Sequence, residues 1–578
     1  MKKLKNIKLG GSVDTICISA LFLPLIFNTP ILYSTFFYYL SAFLSFCGAV
    51  GISVRILSQY QNRHLLNTTT KFKSSAILNE LDPQKMRLIG YASDSGKPVG
   101  IPYDFFMRHI SIIGASGTGK SVLIRFILFQ QALTGGGFLH VDGKNDKGDF
   151  LDFYNLMCQI GRKDDVLVID VDNSEMSNTY NPILYGDPDE VASRIISLIP
   201  SSENNPGSDY YRSEATVAIT TVVAALQKVN LAYSMIDLSL LLMSEKALAE
   251  LDKRLTDIDE YAEETINYKT LLSKFVRKGK IDTTGLKDMF GGIAGRIFML
   301  GTNKFGQITN NYNPEIKLFD VITQNKILWV MLPTLGKSEA AQAFGKLLVS
   351  DLRTAISWVL KLPVNQRPKP FFLASMDEAG SYVNENWGRI FEQARSARIV
   401  MMPAVQTDAN YKKISPELLS VVEGNTWNKI YLRLGDLDSA KRVVEILHTT
   451  KSIKYTISTT ENISQSQQNL QISPNSTLAD GAGQSIGQQE IDVEVINVHQ
   501  LQSLGIGECI LTIGGKDIYY LQLPAVFADK NTPFVPNRHK LDDVKLGIGL
   551  KHNYKQYIDV VGLKQEISDE EYALPPKP

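Results

Sequence analysis

Residues Gly114, Ala115, Ser116, Gly117, Thr118, Gly119, Lys120 and Ser121 fill the pattern G-x-x-x-x-G-K-[ST], and their setting limits the fold they can belong to. An apolar run with Ile110, Ile112 and Ile113 precedes them, and a helical pattern with Val122, Leu123, Phe126, Ile127 and Phe129 follows. A strand that turns through glycines into a helix points backbone N–H groups and the positive helix end at a phosphate chain. Lys120 then reaches the terminal phosphates and Ser121 ligates Mg²⁺. The segment predicts a site for ATP and Mg²⁺ within an α/β fold.

The rest of the chain carries the pattern such a fold needs. Short apolar runs at 109–113, 137–141, 166–169, 327–332, 371–376, 399–405 and 430–434 read as buried parallel strands. They alternate with helical patterns, as in a doubly wound sheet. Between the third and fourth runs the character changes. Asp187, Pro188, Asp189 and Glu190 form a helix start, with a cap, a proline in the first turn and acids near the positive end. Helical stretches follow at 211–229, 235–255, 261–276 and 286–299, so an all-helical insertion is expected over 187–300. Residues 451–489 are rich in Ser, Gln, Thr and Asn and read as a mobile loop. Cys509–Thr512 and Ile518–Leu523, around Gly514 and Gly515, read as a closing hairpin.

From Thr15 to Val54 the chain has no Lys, Arg, Asp, Glu or His. As helix this is about 60 Å, roughly two crossings of a hydrocarbon core about 30 Å thick. Asn28, Thr29 and Pro30 break the run, with Lys2, Lys3, Lys5 and Lys8 before it and Arg55, Arg63, Lys71 and Lys73 after it. Positive charge on both flanks predicts a two-span hairpin with both ends cytoplasmic. The expected order is a transmembrane hairpin at 1–58, then a connector and the start of the motor domain at 59–107. The nucleotide-binding domain occupies 108–186 and 301–530 around the insertion, and 531–578 form a tail. Sixty basic and sixty acidic residues cancel, so net charge says nothing of the substrate. Cys17 and Cys47 fall in the apolar run, while Cys158 and Cys509 are isolated, so neither a disulfide framework nor a zinc site is indicated.

Hydrolysis needs an acid pair at the end of a nearby strand. Phe371–Met376 followed by Asp377 and Glu378 supplies one, with Asp377 in the Mg²⁺ shell and Glu378 as the base that polarises the attacking water. The next strand ends at Gln406, a candidate sensor for that water and the γ-phosphate, because carboxyl ends of strands face the ligand crevice. Arg395 and Arg398 lie between the two. In multimeric motors an arginine from a neighbour can offset charge on the transferred phosphate, and Arg395, read as lying near the crevice edge, is the first candidate. Asp142, Gly143, Lys144, Asn145 and Asp146 also follow a strand, but spacing alone assigns them no role.

In this order the chain resembles the type IV secretion coupling proteins, hexameric inner-membrane ATPases that bring substrates to conjugation and secretion channels. The likeness rests on the two-span anchor, G-A-S-G-T-G-K-S at Gly114, V-D-G-K at Val141, Y-N-P at Tyr180 and the helical insertion. It continues with L-P-T-L-G-K-S-E at Leu332, M-D-E-A-G at Met376, Q-A-R-S at Gln393 and Gln406. The wording is closest to the branch shared by conjugative plasmids, integrative elements and Dot/Icm-type systems. The resemblance implies a RecA-like motor domain in a homo-hexameric ring, a substrate-recognition role for the insertion, and an interface role for Arg395. Two features depart from the family: the loop between the spans is nearly absent, and the tail is short with no long acidic stretch.

The reading is a multi-pass inner-membrane ATPase, its main body cytoplasmic, that passes single-stranded DNA with its attached relaxase into type IV secretion channel components. Three alternatives stand beside it: a protein-effector receptor ATPase, the channel's own assembly ATPase, and a non-motor scaffold with a structural nucleotide.

Overall fold

The computed structural model describes residues 85–199, 206–334, 336, 338–384, 387–447, 449–460, 483–494, 496–529 and 531–538, the strand Lys71–Phe72, and single residues between 39 and 50. Among the described residues no helix is long and apolar enough to cross a membrane. The expected hairpin at 1–58 falls outside them apart from those single residues, as does the tail beyond 538.

Eleven strands form one sheet. In chain order they are β1 (Met86–Ala92), β2 (Pro98–Pro102), β3 (Ile110–Ile113), β4 (Phe138–Asp142), β5 (Val166–Asp170) and β6 (Ile327–Met331). There follow β7 (Phe372–Asp377), β8 (Ile399–Val405), β9 (Asn428–Tyr431), β10 (Glu508–Ile513) and β11 (Asp517–Gln522). The order across the sheet is β2-β1-β11-β10-β9-β3-β8-β7-β4-β6-β5. From β9 to β5 all neighbours are parallel, and these seven strands are the seven apolar runs of the sequence. From β9 to β2 the pairs are antiparallel, including the β10–β11 hairpin expected from Cys509 onward.

The parallel strands are apolar along their length because both faces are covered. On β6, Leu328 and Val330 join one core, while Ile327, Trp329 and Met331 join the other. Helices α1 (Lys120–Leu133) and α2 (Lys147–Gln159) close the second core with Phe126, Phe129 and Phe153. The first core takes Phe344 and Leu348 of the long helix Ser338–Lys361 together with the helices that follow β5.

Those helices are α3 (Pro188–Ile196), α4 (Pro206–Lys228), α5 (Met235–Leu241), α6 (Glu245–Asp259), α7 (Glu263–Ser273) and α8 (Thr283–Leu300). The start at Asp187 is as expected: its N–H donates to Glu190 Oε2 at 3.1 Å. The buried Arg194 on α3 ties this segment to the sheet domain by an ion pair with Asp351, whose second oxygen accepts from Tyr180 Oη at 2.7 Å.

Four expectations need correction. The stretch 235–255 is two helices, because the Ser244 side chain accepts from Ala247 N–H and starts a new one. The segment is not purely helical, since Val276–Arg277 pairs with Lys280–Ile281 around Lys278 and Gly279, both at positive φ. The sheet begins before the first expected strand at 109–113: β1 and β2 already belong to it, Leu88, Ile89 and Ile101 being buried despite polar neighbours. Within the expected loop, Thr449–Thr460 and Gly483–Glu494 pair as a long antiparallel hairpin. Its alternation of Ile453, Tyr455 and Ile457 with Ser, Lys and Thr is strand-like, and the polar composition masked it.

Two buried histidines make the fold sensitive to acid. His109 Nδ1 accepts from Met401 N–H at 3.0 Å, so its Nε2 carries the proton and donates to Phe391 O at 2.8 Å. His140 sits between β4 and β7 with Nδ1 3.0 Å from Ser375 Oγ. Burial pushes both down from the ordinary 6.5 to about 4. Between these values the unfolded chain binds more protons than the folded one, so stability is full above pH 6.5 and falls as the pH drops toward 4. Urea midpoints should therefore decrease over pH 6.5 to 4, and His109→Gln, which keeps one donor and one acceptor, should flatten that slope. An unchanged slope in the variant would rule out His109 as a source.

Candidate nucleotide site

The glycine-rich loop leaves β3 and enters α1 at its first residue, Lys120. Gly117 and Gly119 have φ of 73° and 104°, the left-handed region that side chains avoid. At Gly114 the constraint is space instead, since a Cβ would lie 2.7 Å from Leu432 Cβ. Thr118 Oγ1 donates to Ala115 O at 2.8 Å and closes the loop on itself. From outside, Gly507 N–H donates to Thr118 O at 3.0 Å, so the turn before β10 holds the loop in place.

Lys120 is 4% exposed, and its Nζ has no hydrogen-bond partner among the described residues. The nearest opposite charge is Asp377 Oδ1, 3.6 Å away at the end of β7. The other oxygen, Asp377 Oδ2, accepts from Lys144 Nζ at 3.0 Å, and the same ammonium lies 3.1 Å from Ser121 Oγ. Burial alone would raise the Asp377 carboxyl, but Lys120 and Lys144 outweigh it and hold it below the ordinary carboxylate range. Burial lowers Lys120, with Asp377 only partly restoring it. At Lys144 burial is overcome by Asp377, and its ammonium is held above the ordinary lysine range.

Glu378 adopts φ 54°, a left-handed kink that turns the chain sharply after the strand. Its N–H donates to Asp377 Oδ1 at 3.0 Å, and Tyr382 Oη donates to Asp377 O at 2.8 Å. Gln406, just past β8, donates from Nε2 to Glu378 Oε1 at 3.2 Å. The glycine of V-D-G-K is dictated by this crowding, because a Cβ on Gly143 would approach Glu378 Cβ to 2.9 Å. Asp142 organises the same turn by accepting from Lys144 N–H at 2.9 Å and Asp146 N–H at 2.7 Å.

The structure thus gathers Lys120, Ser121, Asp377, Glu378 and Gln406 at the carboxyl edge of β3, β7 and β8. Arg395 does not join them. It precedes β8, and its charge acts on His109 at the start of β3. That is the amino edge of the sheet, a seven-residue strand away from Gln406, or about 23 Å. The expectation that Arg395 lies near the crevice edge of its own subunit is corrected: a residue ahead of a parallel strand and one behind it cannot share an edge. Sequence reasoning also left Lys144 without a role and overlooked Gly507. The signal for Lys144 was its place two residues past the end of β4, whereas Gly507 carried none.

These residues fit a triphosphate and a divalent cation. Lys120 Nζ is buried and lacks a hydrogen-bond acceptor, the left-handed glycines expose the start of α1, and Ser121 Oγ and Asp377 Oδ2 both lie within 3.1 Å of one point charge. An alcohol and a carboxylate are the oxygen donors Mg²⁺ takes beside nucleotide phosphates.

Fold and site define a P-loop protein with a RecA-like, mostly parallel α/β sheet. No family model matches the chain. Over 387 residues it is 24% identical to the type 4 coupling protein DotL of Legionella pneumophila, an alignment covering 59% of this chain and 49% of that protein. The chain thus spans about half the length of this curated relative. Among solved structures it is similar to the bacterial conjugative coupling protein TrwBΔN70 in complex with sulphate, with TM-score 0.52, 14% identity, and 81% and 95% of the two chains covered. The plasmid coupling protein TrwB in complex with ADP and Mg²⁺ gives TM-score 0.51 and 15% identity over 81% and 94%. The resemblance to type IV coupling proteins that the motifs carry is borne out in sequence by the first relative and in fold by the others.

The Gly507 contact yields a test. Gly507 and Gly515 both have positive φ, 78° and 72°, but only Gly507 touches the phosphate loop. Alanine at either should cost about 1–2 kcal/mol of stability. Only Gly507→Ala should also weaken nucleotide binding, by up to about tenfold, measured by titrating a fluorescent ADP; equal affinities in the two variants would refute the coupling.

Proposed function

We propose that this chain is a type IV coupling ATPase, anchored in the inner membrane by its apolar N-terminal run. The observation that carries this reading is the convergence of Lys120, Ser121 and Asp377 with the Glu378–Gln406 pair on one edge of the sheet. The N–H groups of Gly114–Ser121 and the Lys120 ammonium hold the phosphates of ATP. Ser121 and Asp377 hold Mg²⁺, which when bound neutralises charge on the phosphates. Glu378 takes the proton of the attacking water, and Gln406, hydrogen-bonded to it, orients that water. Lys120 and Lys144 hold the Asp377 carboxyl below the ordinary carboxylate range, so it stays ionised as a metal ligand. The similar TrwB structure in complex with ADP and Mg²⁺ supports a nucleotide and Mg²⁺ as the bound groups.

Cargo and assembly follow from the family resemblance. The chain forms a homo-hexamer and passes single-stranded DNA with its attached relaxase to the secretion channel. A protein-effector receptor is the second reading, since the motif wording is shared with Dot/Icm-type systems as well as with conjugative plasmids. Lys120→Ala should abolish ATP hydrolysis and transfer without unfolding the chain. Glu378→Gln should bind ATP as well as the wild type and turn over at least ~100-fold more slowly. Each is scored by phosphate release, next to a conjugation assay and a protein-translocation reporter. Near-normal turnover in either variant overturns the site, and loss of the protein reporter alone favours the second reading.

Arg395, on the opposite edge from its own site, acts only from a neighbouring subunit in this scheme. Mixing Arg395→Ala with Lys120→Ala subunits should restore part of the ATPase activity, because some interfaces pair an intact loop with an intact arginine. Co-assembly without recovery, beside full activity of Arg395→Ala alone, removes the residue from the mechanism.

A further inference from the structure

Lys144 is a charged group in the site to which the hydrolytic scheme gives no work. Its ammonium lies 3.1 Å from Ser121 Oγ and 3.0 Å from Asp377 Oδ2, the two protein oxygens assigned to Mg²⁺. Mg²⁺ binds oxygens at about 2.0–2.1 Å, so an ammonium in contact with both donors stands in the metal's seat. Two positive charges cannot share it. The position is specific, because Lys144 leaves a turn fixed by two hydrogen bonds to Asp142 and by the close approach of Gly143 to Glu378. The side chain is one-third exposed, so it has room to leave. Glu378 and Asp142 are the next carboxylates whose field it feels.

We propose that Lys144 is a tethered counter-ion that fills the Mg²⁺ seat when the metal is absent and is displaced when the metal arrives. This rests on the nucleotide reading of the site. Two consequences have opposite signs. With the seat filled by its own cation, the wild type keeps appreciable affinity for metal-free nucleotide, because Lys144 adds positive charge beside the phosphates. The same ammonium competes with Mg²⁺ and raises the concentration needed to saturate the complex, by the factor by which the filled seat outweighs the empty one. Removing the charge therefore weakens metal-free binding and sharpens metal dependence. A lysine that only supports the loop would weaken both forms together. Lys144 is a positioning residue in this account, acting on how the metal enters and leaves.

The experiment titrates the full chain with a fluorescent ADP in EDTA and in saturating Mg²⁺, and then titrates Mg²⁺ at fixed ADP. Lys144→Met and Lys144→Gln are compared with the wild type, the glutamine retaining hydrogen-bond donors without the charge. The expected result in both variants is a ratio of metal-free to metal-loaded Kd at least ~10-fold larger than in the wild type, with the Mg²⁺ midpoint lower by ~3-fold or more. A ratio and midpoint within twofold of the wild type in a folded variant overturn the proposal. So does equal weakening in both conditions. Failure of the wild type to bind ADP with Mg²⁺ would instead refute the nucleotide site itself, so the two failures are distinct. Thermal melts without nucleotide identify a variant that has not folded, and the other variant then decides.

Discussion

A single buried carboxylate, Asp377, organises the chemistry of this protein. It sits at the end of a strand buried on both faces, where an unpaired charge would cost several kcal/mol. Two ammoniums offset that cost, Lys120 at 3.6 Å from the helix after β3 and Lys144 at 3.0 Å from the turn after β4. Three separate stretches of chain are thereby bound to one point, and every other site residue takes its place relative to that point. Glu378 turns out of the strand with its N–H on Asp377 Oδ1, and Tyr382 caps the Asp377 carbonyl. The arrangement leaves Lys120 Nζ with charge neutralisation but without a hydrogen-bond acceptor, which is the condition of a group built to receive an anion.

The sheet separates this chemistry from a second set of groups. Every parallel strand delivers its carboxyl end to the nucleotide edge, so residues that precede strands, such as His109 and Arg395, collect on the other edge. His109 is held neutral there, donating to Phe391 O and accepting from Met401 N–H, with the Arg395 charge adding to the effect of burial. Arg395 therefore lies a full strand length from the phosphate loop of its own chain.

The helices between β5 and β6 are linked to the sheet domain through groups as buried as those of the site. Arg194 on α3, Asp351 on the long helix Ser338–Lys361 and Tyr180 of the Y-N-P segment form a connected set, and breaking such a buried pair typically costs about 3–5 kcal/mol. The tyrosine of that motif is thus explained by an interior hydrogen bond, not by contact with a ligand.

Much of the architecture was legible in the residues because its causes are local. Seven doubly covered strands must be nearly continuous apolar runs, and all seven were visible as such. The phosphate loop was legible because its glycines, lysine and serine act within eight residues. The Asp377–Glu378 pair and Gln406 could be located because strand ends in a parallel sheet point one way. What local pattern hid was decided by contacts between distant segments. β1 and β2 look like linker because an edge of mixed polarity gains its stability from pairing with β11. The Thr449–Thr460 and Gly483–Glu494 hairpin was hidden instead by its polar composition. The seat of Lys144 depends on Ser121 and Asp377, 23 and 233 positions away, and the side of the sheet on which Arg395 lies depends on strand direction. Periodicity records which face of an element is buried. Which charge meets which across the fold is settled only when the sheet closes, because Coulombic and hydrogen-bond terms depend on distances that sequence spacing does not contain.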